Sequence, residues 1–128
     1  MKLSKLDYLL KNKISLEEFE QDIRNEVSEY EKKLKKKGSS IMINVIEDAS
    51  MVISRESILK LKDYYISKKM DGYEILYIAD CLTLSDTISY ENKELEELIE
   101  KLSNLETKGK IDKNEILSIL SPATRSNF

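Results

Sequence analysis

Asp71-Gly72-Tyr73-Glu74-Ile75-Leu76-Tyr77-Ile78-Ala79-Asp80-Cys81-Leu82-Thr83-Leu84 is the stretch whose reading decides the fold. Asp71 sits three residues ahead of Glu74, which puts an N-cap acceptor before a first-turn acid and marks a helix start. Ile75, Ile78, Ala79 and Leu82 then fall on one helical face, and Leu76, Cys81 and Leu84 widen it until the helix is apolar over most of its circumference. A helix of that kind belongs in the middle of a bundle, because water on any side of it would meet apolar surface. At about 100° per residue, Tyr73, Glu74, Tyr77 and Asp80 share one arc opposite the apolar face.

The flanking segments supply the rest of a bundle. Ser15-Leu16-Glu17-Glu18 has the form of a capping box. It opens a helix whose Leu16, Phe19, Ile23, Val27, Tyr30 and Leu34 make one narrow apolar stripe. Acids fill the first turns of that helix and Lys32, Lys33, Lys35, Lys36 and Lys37 the last, matching its dipole, with Gly38 as the natural C′ residue. Ahead of it, residues 2–11 read as a short helix with Leu3, Leu6, Leu9 and Leu10 inward. Residues 55–69 read as another, with Ile58, Leu61 and Tyr65 inward. Asn92 caps a helix to Ser103 with Leu95, Leu98, Ile99 and Leu102 inside and Glu96, Glu97, Glu100 and Lys101 outside. Asp112 caps a last helix carrying Ile116, Leu117, Ile119 and Leu120, which Pro122 stops.

Residues 39–53 are the most apolar stretch. A strand at 41–46 is open from its β-branched content. The steps Met42, Val45/Ile46, Ala49, Val52/Ile53 fit a buried helix better. Three glycines and one proline in 128 residues are too few for the turns of an all-β fold. The expected architecture is all-α: a single-domain bundle of six or seven short helices over residues 1–122, with 123–128 a loose tail.

Composition narrows the chemistry. There is no histidine, which removes the usual general base near neutral pH, the Ser-His and Cys-His nucleophile pairs and imidazole metal ligation. Cys81 is the sole cysteine, so the chain holds no disulfide framework and no cysteine metal cluster. A reducing cytoplasm is the expected compartment. The first residues lack the apolar core of a signal peptide, and no apolar run approaches the roughly 20 residues of a membrane span. Carboxylates at exposed helical spacing read as solvated faces, so no enzyme, cofactor or metal is expected.

Two further patterns receive plain readings. Residues 104–115 set Gly109, Ile111, Asp112 and Glu115 where an EF-hand loop has its later positions. Asn104, Glu106 and Lys108 occupy the early ligand positions, and Lys108 puts a cation where Ca²⁺ needs oxygen. A capped helix–turn–helix accounts for the same residues. Lys32 to Lys37 read as a dipole-matched helix end, since no aromatic is interleaved as a stacking platform and the chain is acidic overall.

Charge is strongly uneven. Residues 73–106 hold nine acids against two lysines, a local net of −7 in a chain whose total is −3, so the remainder is +4. Such a surface attracts a basic partner and speeds its encounter. Tyrosine among carboxylates also suits an interface that meets Arg or Lys. Tyr73, Glu74, Tyr77 and Asp80, extended by Glu96, Glu97 and Glu100, are therefore the candidate partner-binding residues.

Two stretches resemble a known group. Leu6-Asp7-Tyr8-Leu9-Leu10-Lys11-Asn12-Lys13-Ile14-Ser15-Leu16-Glu17-Glu18-Phe19-Glu20 resembles the opening of helical bacterial immunity proteins of the colicin-D and contact-dependent growth inhibition kind. Residues 72–86, followed by 94–104 and Gly109-Lys110-Ile111, look like the C-terminal half of small immunity proteins encoded beside polymorphic toxins. Together these cover about half the chain. The resemblance implies a cytoplasmic, non-enzymatic antidote that binds one cognate toxin domain, often a basic nuclease, and occludes its active site. It implies no direct nucleic-acid or membrane partner and leaves the oligomeric state open. The alternative is a regulatory or adaptor helical module that binds some other protein.

Overall fold

The computed structural model describes residues 1–36, 41–105 and 111–124, with Thr124 described by its backbone alone. Six α-helices carry the fold: α1 (Leu3–Leu10), α2 (Leu16–Lys35), α3 (Arg55–Ile66), α4 (Gly72–Thr83), α5 (Lys93–Asn104) and α6 (Lys113–Leu120). A 3₁₀ turn, Ser121–Thr124, follows α6. Two three-residue strands, β1 (Met51–Ile53) and β2 (Ile88–Tyr90), make a small parallel sheet. The all-α expectation holds.

The helices start where their caps direct. Ser15 Oγ accepts from Glu18 N–H at 3.1 Å, Asp71 Oδ1 from Glu74 N–H at 2.9 Å, and Asn92 Oδ1 from Leu95 N–H at 3.0 Å. Asp112 Oδ1 accepts from Asn114 N–H at 2.9 Å. Each such cap stabilises its helix by about 1 kcal/mol. Ser54 and Ser57 form a further, reciprocal box at the head of α3 that the Ser/Thr-x-x-Glu/Gln pattern does not flag.

Helix α4 is central. Nine of its twelve residues are buried, and it packs against α2, α3 and α5. Its first residue lies close under the α6 region: a Cβ on Gly72 would stand 2.7 Å from Ile111 Cγ2. Glycine is thus fixed there by close approach.

Three expectations need correction. Residues 41–53 form no helix, and no strand element spans 41–46. The segment runs extended. Ile46 bridges to Lys2, with Leu3 N–H donating to Ile46 O at 3.0 Å and Ile46 N–H to Met1 O at 2.8 Å, and the chain then enters β1. Ile41, Ile43 and Val45 are half-buried while Met42, Asn44 and Ile46 are exposed, a period of two. Asn44, Glu47, Asp48 and Ser50 interrupt the run, and the alternation of Ile41, Ile43 and Val45 competes with the helical steps over so short a stretch. Leu84 is 59% exposed and does not widen the apolar face of α4. Packing also continues into the expected tail: Ala123 is fully buried and its carbonyl accepts from Arg55 Nε at 2.6 Å. Gly38, Lys37 and residues 125–128 lie outside the described residues.

Candidate functional site

The arc of tyrosines and acids on α4 faces inward. Tyr77 is 1% and Asp80 3% exposed. Tyr77 Oη donates to Glu26 Oε2 of α2 at 2.8 Å and lies 3.3 Å from the Asn44 carbonyl. The Met1 ammonium bonds the same Glu26 oxygen at 2.6 Å and also the Asn44 carbonyl. Asp80 takes Tyr30 Oη on Oδ2 at 2.8 Å and Ser103 Oγ of α5 on Oδ1 at 2.5 Å. The Tyr30 and Tyr77 rings meet edge to face, 5.3 Å between centroids. This is a buried polar seam that ties α2, α4, α5 and the N-terminal segment together, with both Asp80 oxygens supplied with donors. Burial, and then the Glu26 hydrogen bond, hold the Tyr77 hydroxyl firmly protonated. Beside the seam, Cys81 is fully buried and burial pushes its thiol up to about 12, which keeps it an apolar filler rather than a nucleophile.

Tyr73 and Glu74 stand at the margin between α2 and α4. Lys35 Nζ lies 5.4 Å from the Tyr73 ring centroid, so that face is already covered by a cation from α2. Glu74 borders a cleft of about 290 Å³ together with Glu20, Glu31 and Asp71. Burial raises the Glu74 carboxyl to about 8, with contributions from a hydrogen bond and like charge at Glu20 and from Asp71. Its Oε2 is buried and makes no hydrogen bond among the described residues.

Glu96, Glu97 and Glu100 remain as the surface part of the candidate site. All three are exposed on the outer side of α5. Glu96 and Glu100 also line a second cleft, of about 540 Å³, with the end of α4 and all of β2. Tyr90 lines it too; burial raises its hydroxyl to about 12, reinforced by the charges of Glu96 and Glu100. The seven candidate residues thus separate into an inner pair, a marginal pair and an outer trio.

Ion pairing divides the surface in the same way. The five ion pairs among the described residues all fall within positions 1–35: Met1–Glu26, Lys5–Asp22, Lys11–Asp7, Lys32–Glu29 and Lys35–Glu31. Glu91, Glu94, Glu96, Glu97 and Glu100 take part in none among the described residues. No group of three or more Cys, Asp or Glu side chains among those residues is placed to hold a metal ion. Residues 106–110 of the EF-hand-like stretch lie outside them. No described helix is long and apolar enough to cross a membrane.

Against protein-family models, curated proteins and solved structures, the chain finds no match.

Sequence reasoning missed β2 and Tyr90. Ile88-Ser89-Tyr90 alternates apolar, polar and aromatic between Asp86-Thr87 and Glu91-Asn92, and that short period-two signal could have marked a strand. It also missed that Glu26 and Tyr30, four apart on α2, form the complement of Tyr77 and Asp80, three apart on α4.

Proposed function

We propose that this chain is an immunity protein: a stoichiometric antidote that binds a basic toxin domain, such as a nuclease, and occludes its active site. One observation carries the reading, the run of exposed α5 carboxylates that take part in no ion pair among the described residues. The ion pairs among the described residues fall on the N-terminal segment and its helices, and in this reading the α5 charges act on an outside partner. Basic groups that normally hold substrate phosphates would pair with these acids, and the encounter would be fast and salt-dependent. The contact surface of this proposal is Glu96, Glu97 and Glu100 on the outer side of α5, whereas Tyr73 and Glu74 stand apart at the α2–α4 margin. Tyr77 and Asp80 act behind that surface as the frame that holds α4 against α2 and α5.

The experiment is co-expression with the toxin domain encoded beside this gene. Wild-type chain should restore growth, and Glu97→Lys/Glu100→Lys should slow association and flatten its dependence on salt. Full protection with unchanged kinetics from that variant places the contact elsewhere. Absence of any neighbouring toxin, together with capture of an unrelated housekeeping protein, favours the adaptor reading.

A further inference from the structure

Among the described residues, strand β2 has a partner on one edge only. Met51 N–H donates to Thr87 O at 3.2 Å and Glu91 N–H to Ile53 O at 2.9 Å, in the register Met51↔Ile88, Ile53↔Tyr90. A parallel ladder uses alternate residues of each strand, so β2 bonds β1 through residues 87, 89 and 91. The N–H and C=O groups of Ile88 and Tyr90 therefore point the other way. No hydrogen bond to or from those four groups occurs among the described residues, and the sheet has no third strand. A row of unpaired backbone donors and acceptors is a template for another strand.

Ile88, Ser89 and Tyr90 line the 540 Å³ cleft that Glu96 and Glu100 line from α5, and among its described lining residues Lys93 is the one cation. Glu91, at the exit of β2, is exposed and unpaired among the described residues. A strand laid along Ile88–Tyr90 runs roughly 4.8 Å from β2 and turns alternate side chains to each face. Basic residues at every second position would then face the α5 carboxylates.

We propose that the outer edge of β2 receives an extended, basic segment of the partner protein as a third strand, its backbone pairing with Ile88 and Tyr90 and its Lys or Arg side chains meeting Glu96 and Glu100. The proposal rests on the antidote reading for the identity of the partner, and on the sheet edge for the mode of binding. Main-chain bonds supply the affinity in this mode, and the acids select the side chains. Nucleic acid is excluded by the same acids, which repel phosphate. A second copy of the chain is disfavoured because it would bring Glu91, Glu96 and Glu100 against their own equivalents.

A peptide tests this without any toxin. The probe is an eight-residue Lys-Val repeat, titrated into the ¹⁵N-labelled full chain. Its control is the same sequence with every backbone amide N-methylated, which keeps the charge and removes the donors. The expected result is saturable shifts of the Ile88 and Tyr90 amide resonances, and binding about tenfold weaker for the control. Ile88→Pro removes one outward N–H and leaves the bonds to β1, since proline is tolerated on an edge whose N–H faces outward. It should weaken the probe about tenfold relative to Ile88→Ala, which loses similar packing and keeps the N–H. Equal binding by the N-methylated control would reduce the site to charge alone and overturn the proposal. So would the absence of shifts at Ile88 and Tyr90 up to millimolar peptide, or self-association through this edge in sedimentation. Failure to protect against a toxin overturns the antidote reading and leaves the titration standing; failure of the titration leaves protection standing.

Discussion

Asp80 and Glu97 are acidic side chains on neighbouring helices, and the bundle treats them in opposite ways. Asp80 is almost fully buried and receives Tyr30 and Ser103 as donors. Glu97 is exposed and has no ion-pair partner among the described residues. A carboxylate inside a bundle is tolerable only when its lone pairs are used, because its desolvation is otherwise uncompensated. A carboxylate outside needs nothing from the fold, so its charge stays available. The inner acid specifies how helices meet, and the outer one specifies what can approach.

The strongest way to break the comparison is to put a carboxylate inside without partners. Ile78 is 1% exposed in the middle of α4. Ile78→Asp should destabilise the fold by about 4 kcal/mol or more, read in urea unfolding, because nothing supplies its oxygens. A loss below about 1 kcal/mol would mean that α4 is not the core helix. The next test removes one donor and leaves the inner acid. Tyr30→Phe should cost about 1–3 kcal/mol, and a double-mutant cycle with Asp80→Asn should recover part of that loss. Strict additivity would show that the 2.8 Å contact carries no coupling.

That inner seam also measures how much of the molecule its sequence revealed. Caps and stripes made the helices legible, since Ser15, Asp71, Asn92 and Asp112 act locally and need no tertiary context. The central place of α4 was legible from its wide apolar face. The polar arc has the composition of a surface, yet a helix covered on most sides leaves little surface for it. Only pairing it with Glu26 and Tyr30 resolves that tension, and such pairing depends on which helices become neighbours. The strands were hidden for another reason. Ile88-Ser89-Tyr90 offers only one short alternation, and in 41–53 the alternation of Ile41, Ile43 and Val45 competes with the helical steps.

Glu74 stands between the two cases, half-buried and near Glu20. Its folded pKa, about 8, lies above the ordinary value of 4.5. Between those values the unfolded chain binds fewer protons than the folded one, so stability falls as pH rises and levels off above about pH 8. Glu74→Gln should flatten this slope. It should leave stability unchanged near pH 4 and raise it at pH 9 by roughly 1–2 kcal/mol, once solvent screening of a half-exposed group is allowed for. Parallel stability–pH curves for the variant and the parent would show that Glu74 ionises without cost.

The smallest effect on stability belongs to the outer acids, and its smallness is the point. Glu96→Gln/Glu97→Gln/Glu100→Gln leaves the apolar side of α5, Leu95, Leu98, Ile99 and Leu102, untouched. None of the three acids has an ion pair to lose among the described residues. All three lie beyond the Asn92 cap and its bond to Leu95 N–H, so the helix start is kept. Removing like charges from one face relieves some mutual repulsion, which offsets any loss of dipole interaction near the N-terminus of α5. Unfolding free energy should therefore stay within about 0.5 kcal/mol of the parent. Association with a basic partner should slow, with a shallower dependence on ionic strength, because the field that steers the encounter has been reduced. Stopped-flow association at two salt concentrations, run beside urea unfolding of the same variant, separates the two quantities. A marked loss of stability would place these acids in the architecture alongside Asp80. Unchanged stability and unchanged association together would show that the α5 field has no part in binding.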